Sequence, residues 1–234
     1  MHQETKRVFR IVFLVAIIAI IVIAHTIGAD SQPTGSQLGG AILIDPGHGG
    51  EDGGASAADG TLEKTINLAI ALDLRDMLTL CGLSVEMTRD TDVSIYDMGC
   101  TTTRQMKVSD MHNRLKLYDE AAMTVSIHQN HFSVAKYCGT QVFYSSSHPM
   151  SARLATAVRE RVIAHVQPSN TRELKQATDS IFLLYRTVKP AILVECGFLS
   201  NPQESGKLKE TVYQQQMALA IATGLLDVYQ PSKE

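Results

Sequence analysis

Ile42-Leu43-Ile44 runs without a break into Asp45-Pro46-Gly47-His48-Gly49-Gly50. An apolar run bounded by such a turn is a buried strand. The glycines let the backbone come close to a metal or substrate, because glycine tolerates conformations that other residues avoid. The turn leaves one histidine at the strand's end. Three further pieces read the same way: Glu63 at a helix start, Ser126-Ile127-His128, and Val194-Glu195-Cys196. Two histidines and two carboxylates at strand ends and helix starts point to a hydrolytic zinc centre.

The remaining pattern predicts an α/β fold. Thr61 to Cys81 carries Ile66, Ile70, Leu74, Met77 and Cys81 at helical spacing and stops at Gly82. Leu83 to Thr88 alternates as a strand does. Thr91 to Lys107 lacks periodicity and reads as a long loop, followed by a helix over Met111 to Ala122. Strands are predicted at Ala41–Ile44, Met123–Ile127, Gly139–Ser145, Ile181–Tyr185 and Ala191–Val194. Ser151 to Val166 is an amphipathic helix, and one long helix over Lys207 to Tyr229 closes the chain. Strands alternating with helices imply a single domain, with a mostly parallel twisted sheet and helices on both faces. In such sheets, sites collect at the carboxyl ends of the strands.

The first residues follow a different grammar. Lys6, Arg7 and Arg10 precede an apolar run from Ile11 to Ala24. A basic flank before an apolar stretch marks a secretory signal; extended to Ala29, the run nearly reaches the length that spans a bilayer. Residues 1–29 therefore read as a signal peptide or an N-terminal membrane anchor. Either sends the rest of the chain across the cytoplasmic membrane. Residues 30–40 are polar and rich in Gly, Ser and Pro, as a linker is. Beyond residue 29 the chain has 18 basic and 23 acidic residues, which excludes a nucleic-acid-binding surface. Membrane contact is expected through the N-terminal segment only. Cys81, Cys100, Cys138 and Cys196 form no C-x-x-C pair, so neither a zinc ribbon nor a redox motif is indicated. Cys81 and Cys196 sit in apolar contexts that suit free core thiols.

Catalytic zinc usually takes three protein ligands and leaves a position for water. His48, Glu63 and His128 supply a two-histidine, one-carboxylate set. Glu195 is then a fourth polar group that holds no metal and carries a proton. Each residue alone has a plainer reading: a hydrogen-bonded loop histidine for His48, a solvated helix-start carboxylate for Glu63, and His131 as a rival to His128. Glu195 is the most telling, because a carboxylate directly after Ala191-Ile192-Leu193-Val194 becomes half buried, and buried acids have a task or a partner. His48-Gly49-Gly50-Glu51 also matches a zinc carboxypeptidase ligand pair. The glycine-rich turn lacks the G-K-[ST] of a phosphate-binding loop.

Taken in order, Asp45 to Gly50, Asp52, Gly53-Gly54-Ala55, Glu63, Ser126-Ile127-His128-Gln129-Asn130 and Val194 to Asn201 resemble the zinc-dependent N-acetylmuramoyl-L-alanine amidases. The likeness spans roughly Ala41 to Tyr229 and makes residues 41–230 a zinc amidase catalytic domain. It implies Zn2+ on His48, Glu63 and His128, a catalytic Glu195, and peptidoglycan as substrate. By this alignment Glu51 is not a ligand. Thr88-Arg89-Asp90-Thr91-Asp92 and Arg114 also resemble family positions, and Asn130, Arg89 and Arg114 become candidate substrate contacts. The chain departs in its long Asp92 to Arg114 connection and in Tyr118-Asp119, where the family often has Ala-Asn. A single domain, a membrane-directed N-terminus and no wall-binding repeats look like the sporulation members, which act on spore cortex in the first step to muramic-δ-lactam. A degenerate peptidoglycan-binding or regulatory module and an envelope carboxypeptidase are the alternatives. Whether an activating protein partner is needed stays open at this level.

Overall fold

The computed structural model describes residues 40–229. The expectations for residues 1–29 and for most of the 30–40 linker lie outside the described residues. Among the described residues, no helix is long and apolar enough to cross a membrane. The elements are β1 (Ile42–Pro46), α1 (Glu63–Leu80), β2 (Val85–Met87), α2 (Thr103–Glu120), β3 (Met123–Asn130), β4 (Gln141–Tyr144), α3 (Pro149–His165), β5 (Lys175–Gln176), α4 (Phe182–Arg186), β6 (Ala191–Phe198), α5 (Pro202–Leu208) and α6 (Thr211–Leu226).

The six strands form one sheet in the order β2-β1-β3-β6-β4-β5. All neighbours are parallel except β4 and β6. This is the mostly parallel α/β sheet that the sequence predicts. Both faces are covered, so the central strands read as continuous apolar runs. Ile42, Ile44, Val125, Ile127, Ile192 and Val194 face the core shared with α1, α3 and α6. Leu43, Ala191 and Leu193 face the smaller core with Tyr118 of α2 and Leu183 and Leu184 of α4. The period of two along each strand divides these sets.

Four expectations are corrected. Ile181 to Tyr185 is not a strand but the start of α4, whose adjacent Leu183 and Leu184 are both buried; a short apolar run does not distinguish the two by period. The closing helix is two, separated at Lys209 and Glu210, and α5 is capped by Asn201 Oδ1, which accepts from the N–H groups of Gln203 and Glu204. The Thr91 to Lys107 loop ends early, because α2 begins at Thr103. Thr102 and Gln105 form a reciprocal capping box there. Only Arg114 and Tyr118 of α2 are buried, so no apolar stripe announces its first turns. The four cysteines are free, and Cys196 is buried as expected; Cys81, the C-cap residue of α1, is exposed rather than core.

Candidate metal centre

The β1 turn carries His48 at φ 64°, the one non-glycine residue with a positive φ among those described. Two guanidiniums fasten the turn from beneath. Arg89 donates to the carbonyls of Pro46, Gly47, Lys64 and Thr91. Arg114 donates to Pro46 O and His48 O and pairs with Asp45 and Asp110. Both arginines are buried, and these donors are spent inside the protein. They serve the turn, which departs from the expectation that they meet substrate. Asn130 is half-buried at the end of β3, and its carbonyl accepts from Leu199 N–H.

Above the turn, one ligand atom from each of His48, Glu63 and His128 lies within 4.8 Å of the others. Glu63, the first residue of α1, is held at both oxygens. Its Oε1 accepts from Gln129 N–H (3.0 Å) and Asn67 Nδ2 (3.3 Å) and faces His128 Nδ1 at 2.9 Å. Its Oε2 accepts from Ala55 N–H (2.8 Å) and faces His48 Nε2 at 3.2 Å. Asp52 takes the far nitrogen of His48, Nδ1, at 2.9 Å, and Lys107 pairs with Asp52 at 3.3 Å. Such outer contacts fix which ring nitrogen a metal would meet. His131 and Glu51 are exposed and stand outside the trio.

Two close approaches shape the site. A Cβ on Gly47 would sit 2.1 Å from His128 Cε1, and one on Gly54 would sit 2.6 Å from Glu63 Oε2. Glycine at these positions leaves the ligand side chains their room. Charge tells the same story. Burial disfavours an ionised Glu63, yet the two imidazoles outweigh it and hold the carboxyl far below the usual range. Burial likewise opposes charge on His48, but Asp52 and Glu63 raise its pKa to about 9. The site is built to hold positive charge, and two imidazoles plus a carboxylate are donors that suit zinc.

Glu195 is the register partner of His128 across the parallel β3–β6 pair, so the two side chains emerge together at the carboxyl end of the sheet. Its Oε2 is buried with no hydrogen-bond partner. Burial, with Glu63 nearby, lifts its pKa to about 7. The register slips between His128 and Asn130, and irregularities of this kind re-aim side chains beside active sites. A cleft of about 480 Å³ opens at His48, lined also by Asp52, Tyr96, Lys107 and Asp110.

Sequence reasoning missed several supporting residues. Asp45 is buried and accepts from Thr88 Oγ1 (2.8 Å), Tyr118 OH (2.6 Å) and Ser126 Oγ (2.9 Å) besides Arg114. Tyr118, odd against the family pattern, is thereby explained. Asn67 bridges Glu63 Oε1, Gly47 O and Gln129 Nε2. The signal for Asn67 was its place one turn after Glu63 on the same helix face; nothing in the sequence singled out Tyr118.

Residues 42–227 match the family described as N-acetylmuramoyl-L-alanine amidase. A germination-specific N-acetylmuramoyl-L-alanine amidase of Bacillus subtilis is 34% identical over 198 residues, covering 83% of this chain and 82% of that protein. Among solved structures, the CwlD amidase of Clostridioides difficile, in complex with the GerS lipoprotein, is 40% identical with a TM-score of 0.78 and covers 81% of this chain and 98% of that one. The amidase AmiC2 of Nostoc punctiforme is 29% identical with a TM-score of 0.68, covering 80% and 95%. With a matched domain running from β1 to the end of α6, the chain belongs to the N-acetylmuramoyl-L-alanine amidase family.

Proposed function

We propose that the chain is a zinc-dependent peptidoglycan amidase in which His48, Glu63 and His128 hold Zn2+ and Glu195 carries the proton. The observation that carries this reading is the buried, unpartnered Oε2 of Glu195 beside the trio. A carboxylate oxygen kept dry and unpaired costs stability, so its place there needs a chemical reason. When bound, zinc supplies Lewis acidity, polarising a carbonyl and lowering the pKa of water at the site.

The chain's own residues do the rest. Asp52 fixes His48 through Nδ1, and Ala55, Asn67 and Gln129 fix Glu63. Glu195 takes a proton from the attacking water as its oxygen adds to the lactyl carbonyl carbon. It then delivers that proton to the nitrogen of L-alanine as the C–N bond breaks. A carboxylate positioned beside the water and the leaving nitrogen can serve both transfers.

The relatives' names lend support to finer assignments. We place the substrate in spore cortex, as the first step to muramic-δ-lactam, because the Bacillus relative is named germination-specific. The Clostridioides neighbour was solved with a lipoprotein, which supports an activating protein partner here as well. Residues 1–29 would export the domain to the envelope as signal or anchor. The test is mass spectrometry of muropeptides after digestion by the zinc-loaded protein. Peptides with a free L-alanine amino group are expected, together with muramic acid whose lactyl carboxyl is free. Trimming at peptide C-termini instead would overturn the reading.

A further inference from the structure

A second cleft, of about 390 Å³, shares no lining residue with the first. It is lined by the loops that leave the metal trio and Glu195. Ser56 follows Ala55, the residue bonded to Glu63. Phe132 lies four residues beyond His128, a span of at most ~14 Å, and Ser200 lies just past β6.

Phe132 is 50% exposed and Tyr137 40%. Their rings meet edge to face at 5.0 Å, and Tyr137 in turn leans on Phe198, which Arg172 covers. The loop that carries them is pinned. Phe132 N–H donates to Ser200 Oγ (3.1 Å), Asn201 Nδ2 to Ala135 O (2.9 Å), and Gly139 N–H to Glu204 Oε1 (2.8 Å). A pair of exposed aromatic rings in contact, on a loop held by three hydrogen bonds, is surface available to a ligand. The lining also carries polar groups, the hydroxyls of Ser56, Ser133 and Ser200 and the Asp59–Lys209 ion pair, beside His131 and the apolar Leu199 and Pro202. An aromatic face set among hydroxyl and charged partners matches a pyranose, which offers a C–H face to the ring's negative face and hydroxyls to the rim. The first cleft, with Asp52, Asp110 and Lys107, is charged and suits the stem peptide.

We propose that the cleft lined by Phe132 binds a sugar of the glycan strand next to the muramic acid whose amide is cut, and so favours polymeric over single-sugar substrates. This rests on the amidase reading above. The test uses the whole zinc-loaded chain and a peptide-free tetrasaccharide of alternating N-acetylglucosamine and N-acetylmuramic acid. Binding by calorimetry should weaken about tenfold in Phe132→Ala, equivalent to ~1.4 kcal/mol, and equally in Phe132→Leu, which keeps apolar bulk without a ring. Phe132→Trp should restore it. The ratio of kcat/KM on a peptide-bearing tetrasaccharide to that on a single muramoyl peptide should fall in step, through KM. Equal binding across the series would overturn the proposal and leave the patch to a protein contact. Failure of the wild type to release L-alanine-ended peptides would strike the amidase reading instead, while the tetrasaccharide titration would still decide the sugar site.

Discussion

Arg114 Nη2 donates to the carbonyl oxygen of His48 at 2.9 Å, tying a buried guanidinium to the one non-glycine residue held at positive φ among those described. A left-handed backbone at such a residue costs roughly 1–2 kcal/mol and persists only where its surroundings fix it. The same guanidinium neutralises buried Asp45. One side chain thus serves both the core and the placing of a ligand.

Arg114→Ala should destabilise the protein by about 3–5 kcal/mol, because it leaves Asp45 charged, buried and unpaired. Arg114→Lys should recover part of that loss but still weaken zinc retention, since an ammonium cannot reproduce the fork to Asp45, Asp110 and His48 O. Urea denaturation of the metal-free variants and a zinc titration measure the two effects separately. An unshifted urea midpoint in Arg114→Ala would show that other contacts hold the turn.

Acid should reveal the same pair. Burial alone would raise the pKa of Asp45, but Arg114, Tyr118 and Thr88 more than offset this and lower it to about 2, against roughly 3.9 in the unfolded chain. For a carboxylate lowered on folding, the stabilisation is full above the unfolded value and is lost as pH falls through the folded one. Asp45 should therefore contribute about 2.5 kcal/mol above pH ~5 that is lost progressively as pH falls towards ~2 and below. Asp45→Asn should be less stable at neutral pH yet lose less on acidification, and denaturation midpoints measured across that window check it. Parallel curves for parent and variant would contradict the assignment.

Glu195→Gln keeps the shape of the side chain and removes its basicity. Zinc content by elemental analysis should stay at the parent level, while release of L-alanine-ended peptides should drop by roughly 10²–10⁴-fold, the usual worth of a positioned acid–base group. Turnover close to the parent's would remove Glu195 from the proton path.

Much of this was legible in the chain because sheet geometry turns short motifs into positions. His48, His128 and Glu195 each end an apolar run, and parallel pairing of β1, β3 and β6 brings those ends together. What stayed hidden has physical reasons. The first turns of α2 carry no apolar stripe, so only the Thr102–Gln105 box marks the helix start. Arg89 and Arg114 look like surface cations in a sequence, and nothing local shows that backbone carbonyls of the β1 turn consume their donors. The partner of Tyr118 lies 73 residues away, beyond the reach of any periodicity.

Gly47 offers the sharpest separation of site from fold. Its φ lies outside the left-handed region, so the penalty for alanine comes chiefly from the space its Cβ would need. The added Cβ would meet the His128 ring at 2.1 Å, closer than atoms can come. The backbone cannot easily retreat: Gly47 N–H donates to Ile127 O, and Gly47 O accepts from Arg89 and Asn67. The ring must therefore give way, pulling Nδ1 from its place beside Glu63. Gly47→Ala should lower zinc affinity by about 10–100-fold, the loss typical when the support of a ligand is disturbed, and His128→Ala should lower it further. Gly206→Ala, where a Cβ meets nothing within 4 Å, should bind zinc as the parent does. Competition with a chromogenic chelator measures all three, and parent-like affinity in Gly47→Ala would mean that the His128 ring is not held where a metal needs it.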